Sequence, residues 1–314
     1  VQNRRVRSLI SLDDLSDADL RHIVRRGTEF AAGGVIGAPL EGDVVGIYFQ
    51  KTSTRTRTAF SSGALRLGAQ IIAYGPGDLQ VNTGETIADT GRVLAGMLDV
   101  LVARTAEDPG DLRAMAAPGT MAVVNAMTAD EHPTQALTDL VTLQQHLGRT
   151  RDFALLYVGE GNNSAAALAL ALTRCPGATL ELRTPHGYGL ADDVLARAGE
   201  QAERHGARII ERHDMAALPN DFDAIYTTRW QTTGTTKPDP AWRDIFAPFQ
   251  VTAALWDTSP KALFLHDLPA HRGEEVTAEV LDGPASVAFR QAENKMYTAM
   301  AVLEWCRVGL PNNG

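Results

Sequence analysis

Three short runs in this chain carry side chains able to do chemistry. The first, Ser53-Thr54-Arg55-Thr56-Arg57-Thr58, sets two arginines among four hydroxyl residues directly after an apolar run. Where a strand turns into a helix, free backbone N–H groups and the positive end of the helix dipole favour an anion. The hydroxyls of Ser53, Thr54 and Thr56 add neutral donors, and Arg55 adds a planar charged fork suited to phosphate oxygens. A capped surface helix with exposed arginines is the plainer alternative, and the phosphate loop GxxxxGK[ST] is absent. The second run is His132-Pro133-Thr134-Gln135. Pro133 suits a first helical turn, so His132 and Gln135, three residues apart, point to one side and can present a donor and an amide to a carbonyl. A lone histidine here reads equally well as a cap. The third run, FLHDLPAHRGEEV over 264–276, offers backbone carbonyl oxygens near Pro269 to a ligand N–H. Its His266 and His271 are too isolated for a metal site.

The elements that must position these runs alternate between apolar strands and amphipathic helices, the pattern of an α/β architecture with parallel sheets. Helices are expected over 15–32 with Ser16 as N-cap, then over 53–67, 85–98, 111–116 and 132–147. Strands are expected over 43–49, 71–74, 100–103 and 121–125. After Gly148 the alternation restarts, with strands over 153–158, 179–183, 208–211, 224–227 and 262–265. Helices interleave over 164–174, 190–205 and 292–307. Nearly every suggestive motif falls at the carboxyl end of a strand, where ligands bind in such sheets.

Composition narrows the reading further. A chain of 314 residues suggests two domains, and 44% hydrophobic with 21% charged residues is ordinary for a globular protein. The net charge of -9 gives no global basic field, so neither nucleic acid nor an anionic membrane is an expected partner and any anion must be captured locally. Cys175 and Cys306 form neither a disulfide framework nor a zinc pattern, and packing is their expected role. No apolar run is long enough to span a bilayer, and VQNRRVRSLISLDDLS has no apolar signal core, so a cytoplasmic location is expected.

Taken together, FQKTSTRTR, HPTQALTDL, HDLPAHRGEEV and the closing QAENK resemble the aspartate/ornithine carbamoyltransferases, in order and over almost the whole chain. The resemblance implies two α/β domains, each with a central, mostly parallel sheet flanked by helices, and a C-terminal helix returning to the first domain. Carbamoyl phosphate would bind between the domains of a homotrimer with shared active sites. The expected domains are 1–148 for carbamoyl phosphate, 149–290 for the acceptor, and 291–314 as the returning helix. The resemblance assigns Ser53, Thr54, Arg55 and Thr56 to the phosphate and Arg104 to phosphate and carbonyl oxygen. It assigns His132 and Gln135 to the carbamoyl group, the backbone around Asp267 and Leu268 to its NH₂, and Lys295 to the donor site. Arg57 is expected to be structural, and Gln80, in DLQVNTGETIADT, to reach into a neighbouring subunit. The implied reaction is attack of a neutral amine on the carbamoyl carbon, with Thr56, Arg104 and His132 stabilising the oxyanion and no metal or organic cofactor.

The acceptor half departs from the family pattern. GEGNNSAAAL resembles the ornithine enzymes, with Asn163 placed for the amino acid's backbone groups. Where those enzymes carry Asp-x-x-x-Ser-Met-Gly, this chain reads Thr228-Arg229-Trp230-Gln231-Thr232-Thr233-Gly234, and their His-Cys-Leu-Pro is His266-Asp267-Leu268-Pro269. Thr-Arg-x-Gln instead resembles the aspartate enzymes, in which Arg229 and Gln231 would hold a side-chain carboxylate. Asp267 would orient or deprotonate an acceptor ammonium, or else pair with Arg229 or Lys295. Lys295 stands where ornithine enzymes usually carry Arg. The expected acceptor is therefore an ornithine-like or modified amino acid, with aspartate as the rival. A member that binds without turnover is a further alternative. Gly159-x-Gly161 also raises a dinucleotide-binding oxidoreductase, but Ser164 takes the third glycine position and no acid closes the following strand.

Overall fold

The computed structural model describes residues 6–34, 36–105, 107–231 and 236–310. The chain divides into two compact units, Val1–Val141 with Glu293–Gly314, and Thr142–Ala292.

In the first unit the elements run α1 (Asp17–Ala31), β1 (Val44–Phe49), α2 (Arg55–Arg66), β2 (Gln70–Tyr74), α3 (Ile87–Ala95), β3 (Val100–Arg104), α4 (Pro109–Ala116), β4 (Ala122–Asn125) and α5 (Pro133–Leu147). The second unit carries β5 (Ala154–Val158), α6 (Asn163–Leu172), β6 (Thr179–Arg183), α7 (Asp192–His205), β7 (Arg208–Arg212), β8 (Ala224–Thr227), α8 (Trp242–Phe246), β9 (Leu263–His266) and α9 (Ala278–Leu281). A long helix, α10 (Ala288–Arg307), closes the chain. The unit division falls inside α5 and α10, not in a loop.

Both sheets are parallel throughout, ordered β2-β1-β3-β4 and β7-β6-β5-β8-β9. Strands such as VLVAR in β3 are buried along their whole length, because helices cover both faces of a parallel sheet. Strand order reverses direction between β1 and β3 in the first sheet and between β5 and β8 in the second. At such switch points the loops leave in opposite directions and open a crevice for ligands. The first sheet's switch point holds Arg104 at the end of β3 with Ser53 and Thr54 after β1, and the second holds Asn163 and Thr228 after β5 and β8, so chain topology gathers the candidates within each unit.

Helix starts follow local chemistry. Ser16 caps α1 by accepting from Asp19 N, and Asp19 reciprocates in a capping box. α6 reads NSAAALALAL and is buried on every side, which its small apolar residues permit. In the first unit, Leu94, Leu98, Leu101, Leu112 and Met115 pack beside Tyr48 and Leu79. The end of α10 is pinned there by Arg307, whose guanidinium donates to Asp43 at 2.8 and 3.0 Å and to Asp99 at 2.8 Å. In the second unit, Val158, Ile225, Phe264 and Val276 belong to one apolar core, with a separate aromatic cluster of Trp230, Trp242 and Phe246.

The elements differ from the expected spans mainly at their ends. The helix expected from 53 begins at Arg55, leaving Ser53 and Thr54 outside it. The helix expected from 292 begins at Ala288, and α8, α9 and the 3₁₀ turn Gln80–Thr83 were not expected at all. Of the loop following Gln231, residues 232–235, with Thr232, Thr233 and Gly234, lie outside the described residues.

Candidate active site

β1 ends at Phe49, paired in register with Arg104 at the end of β3, and Gln50 N donates to the Arg104 carbonyl at 3.0 Å. Parallel pairing thus fixes Arg104 beside the turn that leads into α2, and its Nη1 lies 3.4 Å from Ser53 Oγ. Thr54 is the N-cap of α2 but its side chain makes no cap bond, so the amides of the first turn are not closed off by it. Thr56 is buried and faces a small recess with Phe60, His132, Thr134, Gln135 and Lys295. Arg57 is exposed on α2, and its side chain makes no hydrogen bond or ion pair among the described residues.

His132 comes after the buried turn that follows β4. Asn125 holds that turn by donating to Ile10 O and accepting from Met127 N, and Glu131 ties it to Ser11 and Leu12. α5 begins one residue later, at Pro133. Burial, followed by the charges of Lys295 and Arg104, pushes the imidazole well below its ordinary value of 6.5. The ring is therefore neutral near pH 7. With Nδ1 taken as acceptor from the Thr134 hydroxyl at 3.4 Å, its proton sits on Nε2, ready to donate to an oxygen. Gln135 is held at both ends: its Nε2 donates to Asp139 Oδ1 at 2.7 Å, and its Oε1 accepts from Lys295 Nζ. Lys295 thus acts on this recess through Gln135 as well as through its charge.

In the second unit the turn after β5 carries the acceptor candidates. Gly159 adopts φ 136, and a Cβ on Gly161 would lie 2.3 Å from the Gly189 carbonyl carbon, so only glycine fits that approach. Asn162 caps α6 by accepting from Ser164 N and Ala165 N, which leaves Asn163 in the first turn, buried. Asp267 accepts from the Thr228 hydroxyl at 2.9 Å and from the Ser164 hydroxyl at 3.0 Å. The two positions that depart most from the ornithine pattern therefore touch each other. His266 Nδ1 lies 3.5 Å from Asp267, but it already accepts from Leu268 N at 2.8 Å and so carries no proton for an ion pair. Its Nε2 faces the fully buried Glu275 at 3.1 Å. Leu268 is held by this bond at φ 53, a left-handed conformation that is strained for leucine.

Arg229 is half-buried and makes no hydrogen bond or ion pair among the described residues, so it is not the partner of Asp267. Gln231 also lies at the carboxyl end of β8, and Gln80 opens an exposed 3₁₀ turn, its Oε1 accepting from Thr83 at 2.6 Å. Sequence reasoning missed Ser164, Asp139 and Thr134. Gln135 and Asp139, four apart on a helix, were a legible pair. Ser164 was read only against a glycine pattern, and its hydroxyl was overlooked.

Residues 7–145 match the family model for the carbamoyl-P binding domain of aspartate/ornithine carbamoyltransferase, and residues 151–306 match its Asp/Orn binding domain. The chain belongs to the aspartate/ornithine carbamoyltransferase family. It is 38% identical over 301 residues to the ornithine carbamoyltransferase of Thermococcus kodakarensis, covering 95% of each chain. The Bacillus subtilis enzyme of the same name is 35% identical over 300 residues, with 95% of this chain and 93% of that one covered. The solved ornithine carbamoyltransferase of Pyrococcus furiosus superposes with a TM-score of 0.90 at 37% identity, over 97% of this chain and 98% of that one. That of Gloeobacter violaceus gives 0.86 at 35% identity, over 97% and 100%. As a member of this family the protein is a carbamoyltransferase, passing a carbamoyl group from carbamoyl phosphate to an amine.

Proposed function

We propose that the acceptor is the side-chain amine of ornithine or of a closely related amino acid. The observation carrying this reading is the Asp267 carboxylate, held by Thr228 and Ser164 at the β5–β8 switch point beside Asn163. A fixed carboxylate there attracts an alkylammonium and takes its proton, leaving the amine neutral for attack. The similarity to enzymes named for ornithine supports the same reading.

On this proposal residues 1–148 form the donor domain, 149–290 the acceptor domain, and 291–314 the helix that completes the first. Ser53, Thr54, Arg55 and Thr56 hold the phosphate with the first-turn amides of α2, and Arg104 reaches both phosphate and carbonyl oxygen. Neutral His132 donates to the carbonyl oxygen, Gln135 and Lys295 support the carbamoyl group, and the Leu268 backbone accepts from its NH₂. The amine nitrogen bonds to the carbamoyl carbon, and the oxygen develops negative charge against Thr56, Arg104 and His132. The C–O bond to phosphate then breaks, the nitrogen's surplus proton passes to the departing phosphate oxygen, and phosphate leaves. Asn163 would hold the acceptor's backbone groups. Gln80 would reach a neighbouring copy in a homotrimer, and a cytoplasmic setting, expected from the sequence, completes the proposal.

An aspartate-like acceptor is the second reading, favoured by Arg229, whose guanidinium makes no ion pair among the described residues, together with Gln231. Phosphate release from carbamoyl phosphate with a panel containing ornithine, its N-acylated derivatives, lysine, putrescine and aspartate separates the two. Ornithine or a relative is expected to give the highest kcat/KM; turnover with aspartate alone would replace the first reading. Thermal stabilisation by carbamoyl phosphate with no product from any amine would mark a binding protein without turnover.

A further inference from the structure

One charged group at the same end of the second sheet has no part in the proposed chemistry. The Lys237 side chain is only 3% exposed, and its Nζ lies 2.5 Å from Glu160 Oε1. Three rings surround that ammonium, with centroids at 4.7 Å for Tyr188, 5.7 Å for Trp242 and 4.6 Å for Phe246. The rings brace one another: Phe246 meets Tyr188 and Trp242 edge-on at 4.9 and 5.9 Å, and Trp230 at 5.6 Å. A lysine ammonium is strongly hydrated and rarely leaves water. Here a carboxylate and ring faces replace the hydration shell, which keeps the ammonium inside only while all of them stay in place.

What this box joins gives it meaning. Glu160 stands in the β5–α6 turn, three residues before Asn163, and the Tyr157 hydroxyl donates to its carbonyl at 2.6 Å. Tyr188 comes after β6, and its carbonyl accepts from Gly161 N at 2.8 Å. Trp230 follows Thr228 by two residues, and Trp242 and Phe246 are the two ends of α8. A single ammonium therefore gathers the loops that leave β5, β6 and β8, and two of those loops carry the acceptor candidates Asn163 and Thr228.

We infer that Lys237 and Glu160 form a buried clasp that holds the 236–246 segment to the β5–α6 turn and so positions Asn163 and Thr228 for the acceptor. The inference rests on the acceptor reading given above. Lys237 is a positioning residue: its ammonium is spent on Glu160 and the rings, not on substrate. Breaking the clasp loosens acceptor binding and leaves the phosphate-holding candidates Ser53, Thr54, Arg55, Thr56 and Arg104, which belong to the other unit, as they were.

The test uses the full chain with Lys237→Met, which keeps an apolar stem in the box, and with Glu160→Gln, which keeps the shape but removes the charge. Lys237→Arg keeps the cation. Phosphate release is measured with the amine that the wild type uses best, alongside tryptophan emission and amide hydrogen exchange over 236–246. K237M and E160Q are each expected to raise the acceptor KM about tenfold, with the carbamoyl phosphate KM held within about twofold. Both should red-shift the emission and speed exchange in the segment, and K237R should recover most of the loss. An acceptor KM unchanged in both variants overturns the clasp, even where exchange quickens. A wild-type chain that turns over no amine overturns the acceptor reading, and the positioning role falls with it.

Discussion

Asp267 and Thr228 are 39 residues apart in sequence and 2.9 Å apart in space. Where the family pattern places a carboxylate at position 228, this chain has the hydroxyl there and the carboxylate at its hydrogen-bonding neighbour. The negative charge is thus kept at the switch point while its origin moves from β8 to the end of β9. In the proposed reaction Asp267→Asn keeps the shape but neither attracts nor deprotonates an ammonium. It should lower kcat/KM for the acceptor about 100-fold with the carbamoyl phosphate KM unchanged. Thr228→Ala removes one hydrogen bond to a charged group and should cost about tenfold. Equal losses on both substrates, read in steady-state kinetics, would count against an acceptor role. His132 makes a separate case. Its folded-state value lies well below the unfolded value of 6.5, so on acidification the unfolded chain takes up the proton first. The stability linked to this group is present above about pH 6.5 and is lost as pH falls toward the folded-state value. Urea unfolding without ligands at pH 7.5 and 5.5 should therefore show a smaller acid loss in His132→Gln than in the wild type. The same variant should lose about 100-fold or more in kcat, because a donor to the oxyanion is gone. An acid loss as steep as that of the wild type would mean that His132 does not carry the linkage.

At the scale of elements, the turn from β5 into α6 carries the most constraint. Asn162 caps α6 there, Gly161 lets the Tyr188–Leu190 backbone approach, and Glu160 and Asn163 carry the roles proposed above. A methyl group at Gly161 would lie 2.3 Å from the Gly189 carbon and 2.4 Å from Leu190 N, distances that only a backbone shift can relieve. Gly161→Ala should lower Tm by several degrees in calorimetry and raise the acceptor KM, while Gly199→Ala, at an open helical position, should do neither. Equal Tm for the two variants would show the turn to be more compliant than its geometry implies. The elements themselves were largely legible in the sequence. Strands over 179–183 and 224–227 occur as expected, because buried parallel strands read as short apolar runs between turn residues. Helix α8 was not legible, since five residues between prolines and an aromatic cluster leave no period to read. The donor candidates were legible because STRTR and HPTQ are local runs. The Thr228–Asp267–Ser164 contacts were not, because they depend on three separate loops meeting at one switch point, a property of strand order and not of spacing. The Lys237 box escaped for the same reason, its partners being scattered from Glu160 to Phe246.

For the whole molecule, the question is how a chain of net charge -9 takes an anionic donor. Arg104 and Lys295, buried in the first unit with His132 kept neutral between their influences, concentrate positive potential where the surface cannot provide it. The remaining proposal at this scale is assembly. Val93 in α3 and Met97, just past the helix end, are 51% and 71% exposed. Strand β2 is the sheet edge, and its Ile72 is also exposed. An edge strand, and bare apolar side chains on and after the helix that packs against the Gln80 turn, fit surface covered by a second copy of this chain. Val93→Glu with Met97→Glu would then place two carboxylates in that interface. Sedimentation should give a trimer for the wild type and a monomer for the double variant, with activity lost in step. Sharing of the active site makes a stricter demand. A chain inactivated by Arg55→Ala and one inactivated by Gln80→Ala each keep the half that the other lacks. Mixed, partially dissociated and reassembled, they should regain activity that neither has alone, because some active sites then combine an intact Arg55 with an intact Gln80. No regain from a mixture shown by mass to contain hybrid trimers would place Gln80 outside the site of the neighbouring copy.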